Sequence, residues 1–388
     1  MKSALKKCIA LFLILGSGLL APACTSNKEK DNLQFPAIVA IDNVLRRVFV
    51  IDNQFNGLNL IDPDTNQVIL FGEGKNAESL LNDEDPQILP QFPSNGVVTA
   101  MPGEVSRLFV IGGGGAPQNQ IVVLDFDFVN LIRTANISPI EVSGSATDTL
   151  VGLATDVLGG VVFVSNASTG AVHAYDVTSG VELADSPVMV GGVPGRMNFD
   201  PDSGLLVVSN ATAETVDILD ANDLAAGSRT VNVGIFTRDA ALATNASGSI
   251  LFVSASQQNI ARAFRLDLND LANSTQIFEL LPNAPTQPVP IPNFVPGSIN
   301  FAKAGNLSDG RMGGFYTMST GDLLEVDLFS DLSAAAPAIT SVGAISGEGL
   351  DTLLNGSGAA TKVYYASPGL GVVTVVDPLT NGFIDQIP

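Results

Sequence analysis

Residues 161–176 read VVFVSNASTGAVHAYD, and this stretch is the unit from which the rest of the chain is built. Its apolar start predicts a β-strand, the polar segment SNASTG predicts a tight turn, and the segment AVHAYD predicts a second strand that ends in Asp176. A close copy of the unit, LLVVSNATAETVDILD, occupies residues 205–220. A hairpin pattern that recurs along a chain indicates a repeat architecture, so we expect similar β-units arranged side by side.

The most regular marker of the repeat is an apolar strand that ends in aspartate. It occurs seven times, at Asp62, Asp125, Asp176, Asp220, Asp267, Asp327 and Asp377. Two apolar runs precede each marker and a loose fourth run follows, which predicts four strands per repeat. We therefore expect an all-β fold, a seven-bladed β-propeller of four-stranded antiparallel blades. Because aspartate side chains commonly accept hydrogen bonds from the backbone of a turn, we interpret these aspartates as turn residues and not as catalytic groups.

The sharpest copies of the repeat carry a family pattern. Residues 163–166 (FVSN) and 207–210 (VVSN) are close to the Tyr-Val-Thr-Asn of one propeller family, and residues 61–65 (IDPDT) match its Ile-Asp-x-x-Thr. The chain thus resembles the bacterial YVTN-type seven-bladed propellers, which share a fold with lactonase-like proteins. The resemblance implies the propeller fold, and its motif carries no catalytic residue. The chain has no Trp, which the signatures of WD40 repeats and of quinone-dependent dehydrogenases contain.

The N-terminal residues have the pattern of an export signal. Residues 1–23 contain three lysines followed by the apolar run IALFLIL, which is typical of a signal peptide. The segment LLAPAC, which ends at Cys24, resembles the lipobox of bacterial lipoproteins, so we predict that Cys24 is lipidated. The alternative is an ordinary cleaved signal in which Cys24 is incidental. In lipoproteins an Asp just after the cysteine directs the protein to the inner membrane; here Thr25 follows, which favours an outer-membrane lipoprotein.

The predicted mature chain consists of a polar tether, residues 24–34, and a single β-propeller domain, residues 35–388. The 39 acidic residues outnumber the 18 basic ones, and the net charge of -21 repels nucleic acid phosphates and anionic lipid head groups. We therefore expect no nucleic-acid partner, and membrane contact only through the lipid anchor. The chain has two cysteines, of which Cys8 lies within the predicted signal. The mature protein is expected to be a monomer without an intramolecular disulfide.

Few residues have the types and spacing that catalysis or metal binding requires. His173 is the only histidine, so a multi-histidine metal site is not possible, and we predict no catalytic set, metal or cofactor. One group of charged residues is notable because its members come just before predicted first strands, where blades converge on the axis. The group consists of Asp148, Arg196, Arg238, Asp239 and Glu348. Such convergent charges form either a funnel that binds a polar ligand or ion pairs between blades.

Two functions from different classes follow from these observations. The main hypothesis is a lipid-anchored, non-enzymatic binding or scaffold module at the cell envelope, whose partner is an envelope protein or a small polar ligand. It rests on the export signal, the rigid repeat and three long inserted segments, residues 71–95, 112–120 and 281–297. The alternative is a lactonase-like hydrolase with its site at the mouth of the central channel, an idea that the shared fold alone suggests.

Overall fold

The computed structural model describes most of the chain after residue 35. The described ranges are 36–52, 57–69, 89–114, 118–130, 132–134, 137–156, 160–255, 260–280, 299–318, 323–328, 338–340, 349–368 and 370–388. Regular structure in these ranges is almost entirely β-strand, with short 3₁₀ helices at Leu224–Ala226 and Leu271–Asn273. Over the same ranges, no helix has the length and apolarity that crossing a bilayer would require.

The strands follow one another in antiparallel groups of four, which we number as blades in chain order. Blade 1 consists of β1 (Pro36–Asp42), β2 (Arg47–Asp52), β3 (Leu58–Asp62) and β4 (Gln67–Ile69). Blade 2 consists of β5 (Gln91–Met101), β6 (Val105–Gly114), β7 (Gln120–Asp127) and β8 (Ile132–Thr134), and β9 (Ile140–Glu141) also pairs with β7. Blade 3 consists of β10 (Leu150–Thr155), β11 (Val161–Asn166), β12 (Ala171–Asp176) and β13 (Val188–Met189).

The later blades repeat the same strand order. Blade 4 consists of β14 (Pro194–Asp200), β15 (Leu205–Asn210), β16 (Thr215–Asp220) and β17 (Arg229–Asn232). Blade 5 consists of β18 (Asp239–Asn245), β19 (Gly248–Ala255), β20 (Ile260–Leu266) and β21 (Thr275–Leu280). Blade 6 consists of β22 (Ile299–Leu307), β23 (Met312–Met318), β24 (Leu323–Leu328) and β25 (Ala338–Thr340). Blade 7 consists of β26 (Leu350–Leu354), β27 (Ala359–Ser367), β28 (Val372–Asp377) and β29 (Gly382–Ile387).

This arrangement confirms the all-β propeller fold of four-stranded antiparallel blades. The count of seven for the complete ring stays a prediction. Blades 6 and 7 are joined into one sheet by a short parallel pairing of β22 with β27, at Asn306↔Ala359 and Leu307↔Ala360. Of the inserted segments, residues 281–297 lie outside the described residues, while the last residues of the first segment belong to β5 and the first residues of the second belong to β6.

The hydrophobic core lies between adjacent blades. In one typical layer, Phe163 and Val172 of blade 3 pack with Leu206 and Leu219 of blade 4, and all four side chains are buried. This explains why the strands read as continuous apolar runs: each strand contacts a neighbouring blade on both of its faces. Equivalent layers lie between the other pairs of successive blades.

Blade 7 packs against blade 1 in the same way. Their shared cluster contains Val39, Val50, Tyr364 and Val373, which are all buried. Side chains add hydrogen bonds across this contact. The backbone N–H of Ile41 donates to Asp351 Oδ2 at 2.9 Å, and that of Leu354 donates to Asn43 Oδ1 at 2.7 Å. Among the described strands, none of one blade pairs with a strand of the other, so packing and side-chain hydrogen bonds join blades 7 and 1.

The aspartate that ends the third strand acts in its turn as predicted in most blades. In blade 3, Asp176 Oδ1 accepts hydrogen bonds from the backbone N–H groups of Thr178 at 3.1 Å and Ser179 at 2.7 Å. The equivalent residues that accept turn N–H groups are Asp62, Asp220, Asp267 and Asp377. The prediction is wrong for Asp125. Because β7 continues to Asp127, Asp127 accepts the turn N–H groups, and Asp125 pairs with a guanidinium group instead.

The serine of the VSN motif fastens the inner strands of neighbouring blades. Ser165 is fully buried; its Oγ accepts a hydrogen bond from the Gly152 N–H at 2.8 Å and donates one to the Gly195 carbonyl oxygen of blade 4 at 2.6 Å. In blade 4, Ser209 Oγ lies 2.9 Å from the Arg196 carbonyl oxygen of its own blade and 3.4 Å from the carbonyl oxygen of Arg238, which precedes the first strand of blade 5. The hydroxyl groups at this position therefore connect the strands that surround the axis.

Candidate functional site

A small cavity on the axis is the candidate site. Its volume is about 160 Å³, and the first strand of every blade contributes to its lining. The cavity is bordered by polar and apolar groups together, as ligand pockets usually are. It is smaller than the roughly 300–1,000 Å³ that a drug-sized ligand fills, so it can enclose only a small molecule or one group of a larger one.

β-Bulges at the start of several first strands shape one end of this cavity. The pairing of β14 with β15 shifts between Pro194 and Met197, and that of β22 with β23 shifts between Ile299 and Ala302. A bulge inserts an extra residue and changes the direction of its side chain. Arg196 and Phe301 occupy these two bulges at equivalent positions, and both line the cavity. A further bulge in β5 contains Ser94.

These residues meet across the axis. The guanidinium carbon of Arg196 lies 3.8 Å from the centroid of the Phe301 ring, and its Nη2 donates a hydrogen bond to the Ser94 carbonyl oxygen at 3.1 Å. Arg196 of blade 4 therefore contacts blade 2 on one side and blade 6 on the other. Arg238, which immediately precedes β18, is exposed, and its guanidinium carbon lies 5.7 Å from the same ring centroid. We call Ser94, Arg196, Arg238 and Phe301 the channel mouth.

Asp239 lies beside the channel mouth but faces inward. Its side chain is buried; Oδ1 accepts hydrogen bonds from Asn198 Nδ2 at 3.0 Å and from the Ala240 N–H at 2.9 Å, and Oδ2 accepts one from the Ala302 N–H at 3.1 Å. Burial raises the pKa of Asp239, and the positive charge of Arg196 only partly opposes this rise. Its main role in the structure is to fasten blades 4, 5 and 6 to one another.

A second charged contact lies further along the cavity wall. Lys303 Nζ lies 3.4 Å from Asp351 Oδ1, and both residues are on first strands, in blades 6 and 7. Sequence reasoning missed this pair, as it missed Phe301, because it selected only charges that precede first strands. Phe301 and Arg196 occupy the same position in their blades, and aligning the repeats with one another would place Phe301 opposite Arg196.

The opposite end of the cavity is acidic. Asp42 and Asp200, the last residues of β1 and β14, both line it and are buried. Burial raises the pKa of Asp200. Exposed Asp202 accepts a hydrogen bond from Asn306 Nδ2 at 2.7 Å. The cavity is therefore polarised, with guanidinium groups at the channel mouth and carboxyl groups at the far end.

The other predicted site residues do not join the channel mouth. Asp148 is buried and does not line the cavity; its Oδ2 accepts hydrogen bonds from the Ser145 N–H at 3.1 Å and from Asn166 Nδ2 at 3.0 Å. Asp148 thus orders its own loop. Glu348 and the predicted lipidation site Cys24 lie outside the described residues.

His173 belongs to a separate hydrogen-bonded group in blade 3. Its Nδ1 lies 2.8 Å from Glu182 Oε1 and 3.3 Å from Ser143 Oγ, while Ser143 Oγ donates to Glu182 Oε2 at 3.0 Å. A catalytic triad places the serine and the carboxylate on different imidazole nitrogens, whereas here both contact Nδ1. No group of three or more potential metal ligands occurs within the ranges that the structure describes.

Among the comparisons with known proteins, one solved structure supports the fold, and none bears on the chemistry. No protein-family model matches the sequence, and no curated protein matches it. A chain in the crystal structure of a mitotic checkpoint complex has a TM-score of 0.53 and 12% identity, over 91% of this chain and 96% of that one. A chain in the crystal structure of a nidogen/laminin complex has a TM-score of 0.45 and 11% identity, over 73% of this chain and 93% of that one.

Proposed function

We propose that this protein is an exported, lipid-anchored β-propeller of the YVTN type that acts as a non-enzymatic binding module at the cell envelope. One observation supports a binding role above all: bulges in separate blades bring Arg196 and Phe301 to one end of a cavity, where Arg196 donates a hydrogen bond to the carbonyl group of Ser94 in a third bulge. Bulges disturb the pairing of a strand and commonly serve to direct a side chain into a site. We propose the channel mouth as the site of a small polar ligand.

The binding proposal can be tested on the full chain purified in detergent. Ligands that bind only the folded state raise its melting temperature, so a thermal-shift screen of small polar compounds identifies candidates. Compounds that bind at the channel mouth should stabilise the wild type and the Arg265→Ala variant equally, and should stabilise Arg238→Ala less. Arg265 is a matched control because it is an exposed arginine on β20, away from the cavity lining. If no compound stabilises the wild type, and immobilised protein retains no envelope component, the binding role is wrong.

The lipid anchor is a separate part of the proposal. Its support is the lysine-containing, apolar N-terminal segment followed by Cys24, and we propose the outer membrane as the location. Metabolic labelling with a radioactive fatty acid should mark the protein, and Cys24→Ser should abolish the label. Cys8→Ser, the matched change at the second of the two cysteines, should leave the label in place. Equal labelling of both variants would exclude lipidation at Cys24.

A lactonase-like hydrolase is the second candidate, and Asp239 is the observation that favours it. Asp239 lines the cavity, burial raises the pKa of its carboxyl group, and a group perturbed in this way within a cavity is a candidate for acid–base chemistry. Turnover of a panel of lactones by the wild type, lost in Arg196→Ala and retained in Arg265→Ala, would support the hydrolase. Background rates in all three proteins would eliminate it.

A further inference from the structure

The outer part of the contact between blades 6 and 7 departs from the pattern of the repeat. Two residues before the aspartate that marks the third strand, most blades have an apolar side chain that packs against the next blade; these residues are Leu60, Val123, Ala174, Ile218 and Val375. Blade 6 has Glu325 at this position, and its side chain is buried. Burying a carboxyl group is costly unless the group is protonated or paired, so this position calls for a compensating contact.

Glu325 lies beside a second buried carboxyl group, that of Asp327. The two residues are two apart on β24 and so project to the same side of the strand, whereas Leu324 packs against blade 5 on the other side. Arg311 Nη1 donates to Asp327 Oδ2, and Arg311 Nε donates to Asp309 Oδ2 at 2.7 Å. One guanidinium group thus faces the carboxyl groups of three residues of blade 6.

Blade 7 completes this group through the turn that follows β28. Arg311 Nη2 donates to the Leu379 carbonyl oxygen at 2.9 Å. The side-chain amide of Asn381, oriented so that its nitrogen donates, lies 3.0 Å from Glu325 Oε1, and Asp377 adds a further negative charge nearby. These contacts cross from one blade to the other. We use the name carboxyl cluster for Asp309, Arg311, Glu325, Asp327, Asp377 and Asn381.

The protonation of Glu325 decides whether the carboxyl cluster attracts or repels. Burial and the neighbouring Asp327 raise the pKa of Glu325 well above its ordinary value, and burial raises the pKa of Asp327. A proton on Glu325 lets the two side chains lie together, because a protonated carboxyl group can donate a hydrogen bond to a carboxylate. Two ionised carboxyl groups in the same buried place repel each other. Loss of the proton therefore weakens the outer contact between the blades.

The inner part of the same contact does not depend on this proton. Near the axis, β22 of blade 6 pairs with β27 of blade 7 at Asn306↔Ala359. On the cavity wall, Lys303 Nζ lies 3.4 Å from Asp351 Oδ1 of blade 7. These contacts hold the first and second strands of the two blades together when the outer strands move apart.

We propose that the carboxyl cluster is a proton-dependent latch between blades 6 and 7, closed while Glu325 is protonated and opened by its ionisation. Opening separates the outer strands and exposes part of the apolar layer that includes Leu323, Val363 and Val376. The inference concerns how the fold responds to pH, and it does not depend on what the cavity binds.

The test is hydrogen exchange of the full chain in detergent, read by mass spectrometry, with wild type and Glu325→Gln compared at the same pH. Glutamine keeps the size of the side chain and cannot ionise. Because the open state releases a proton that the closed state keeps, the opening equilibrium of the wild type should rise by about tenfold per pH unit. The ratio of wild-type to Glu325→Gln exchange in β24 and β28 should therefore grow at least about tenfold between about pH 6 and about pH 9. Glu214→Gln, a change at an exposed glutamate of blade 4, should behave like the wild type.

Two results would overturn the latch. The first is an exchange ratio in β24 and β28 that stays constant with pH. The second is an opening free energy in these strands equal to the free energy of global unfolding, measured in urea at the same pH, since the blades would then separate only when the whole protein unfolds. Glu325→Leu, which introduces the residue that blade 1 has at Leu60, is a second variant that cannot ionise and should lose the pH dependence as well. Melting temperatures check that both variants fold.

Discussion

Replacing Ser165 by alanine should destabilise the whole ring although it removes a single oxygen atom. The hydroxyl is fully buried; it accepts from the Gly152 N–H at 2.8 Å and donates to the Gly195 carbonyl oxygen at 2.6 Å. In the variant, the Gly152 N–H and the Gly195 carbonyl oxygen both lose their hydrogen bond to this hydroxyl group. A buried group that loses its partner costs about 1–3 kcal/mol, so we expect the free energy of unfolding to fall by about 3 kcal/mol.

Equilibrium unfolding in urea measures this loss as a shift of the midpoint at constant slope. Ser247→Ala is the control, because Ser247 lies in an exposed turn and its hydroxyl makes no hydrogen bond with the described residues. Ser165→Thr should retain most of the stability, since Thr317 occupies the equivalent position in blade 6 and accepts from the Phe301 N–H at 3.2 Å. A loss in Ser165→Ala of less than about 0.5 kcal/mol, the usual range of a surface change, would refute the reasoning.

Three further changes probe other parts of the fold. Gly349→Ala places a Cβ 2.6 Å from the Ala37 carbonyl oxygen of β1 and should lower the free energy of unfolding by about 1–3 kcal/mol. Gly356→Ala is the control and should be neutral, because no atom lies within 4 Å of the added Cβ. Thermal unfolding compares the two variants, and equal melting temperatures would contradict this prediction. Burial, together with the neighbouring carboxyl group of Asp327, raises the pKa of Glu325 well above its ordinary value of 4.5, so the folded state holds this proton more tightly and the wild type should lose stability as the pH rises above about 5. Glu325→Gln, which resembles the protonated form, should reduce the dependence of the unfolding free energy on pH, as measured by urea unfolding. An unchanged pH dependence would contradict the role of Glu325. Asp176→Ala should cost about 1 kcal/mol by urea unfolding, because three hydrogen bonds to the turn are lost, and wild-type stability would show that the turn forms without them.

The repeat made the fold predictable, because each blade repeats the same residues for the same local reason. Asp176 and Asp62 each end a third strand and accept hydrogen bonds from their own turns, so their position in the sequence is enough to assign their role. Asp125 has the same sequence context, yet β7 continues for two more residues and Asp127 takes its place in the turn. The length of an individual strand depends on its pairing partner, which the sequence pattern does not reveal.

The site was less predictable, for a reason of register. The charge of Arg196 and Arg238 and their position before first strands mark both residues in the sequence, and the structure brings both to one phenyl ring. The sequence does not mark Phe301, because an aromatic residue at the start of an apolar strand resembles any core residue. Only the bulge between Ile299 and Ala302 gives it a different environment, and a bulge of one residue leaves no clear mark in a hydrophobic pattern. Asp148 has a similar sequence context but bonds within its own loop.

The contact between blades 7 and 1 determines how mechanical load would travel through this part of the molecule. β1 is the first described strand of the chain and also part of the cavity wall, with Ala37, Val39 and Asp42 among its lining residues. Any tension applied to the chain before Pro36 would therefore act first on a strand that borders the cavity. No described strand of blade 1 pairs with a strand of blade 7. The load therefore crosses this junction through the side-chain hydrogen bonds of Asp351 and Asn43. A pulling force on the N-terminal side would therefore deform β1, and with it the wall of the cavity, before the force reached the outer strands of the blades.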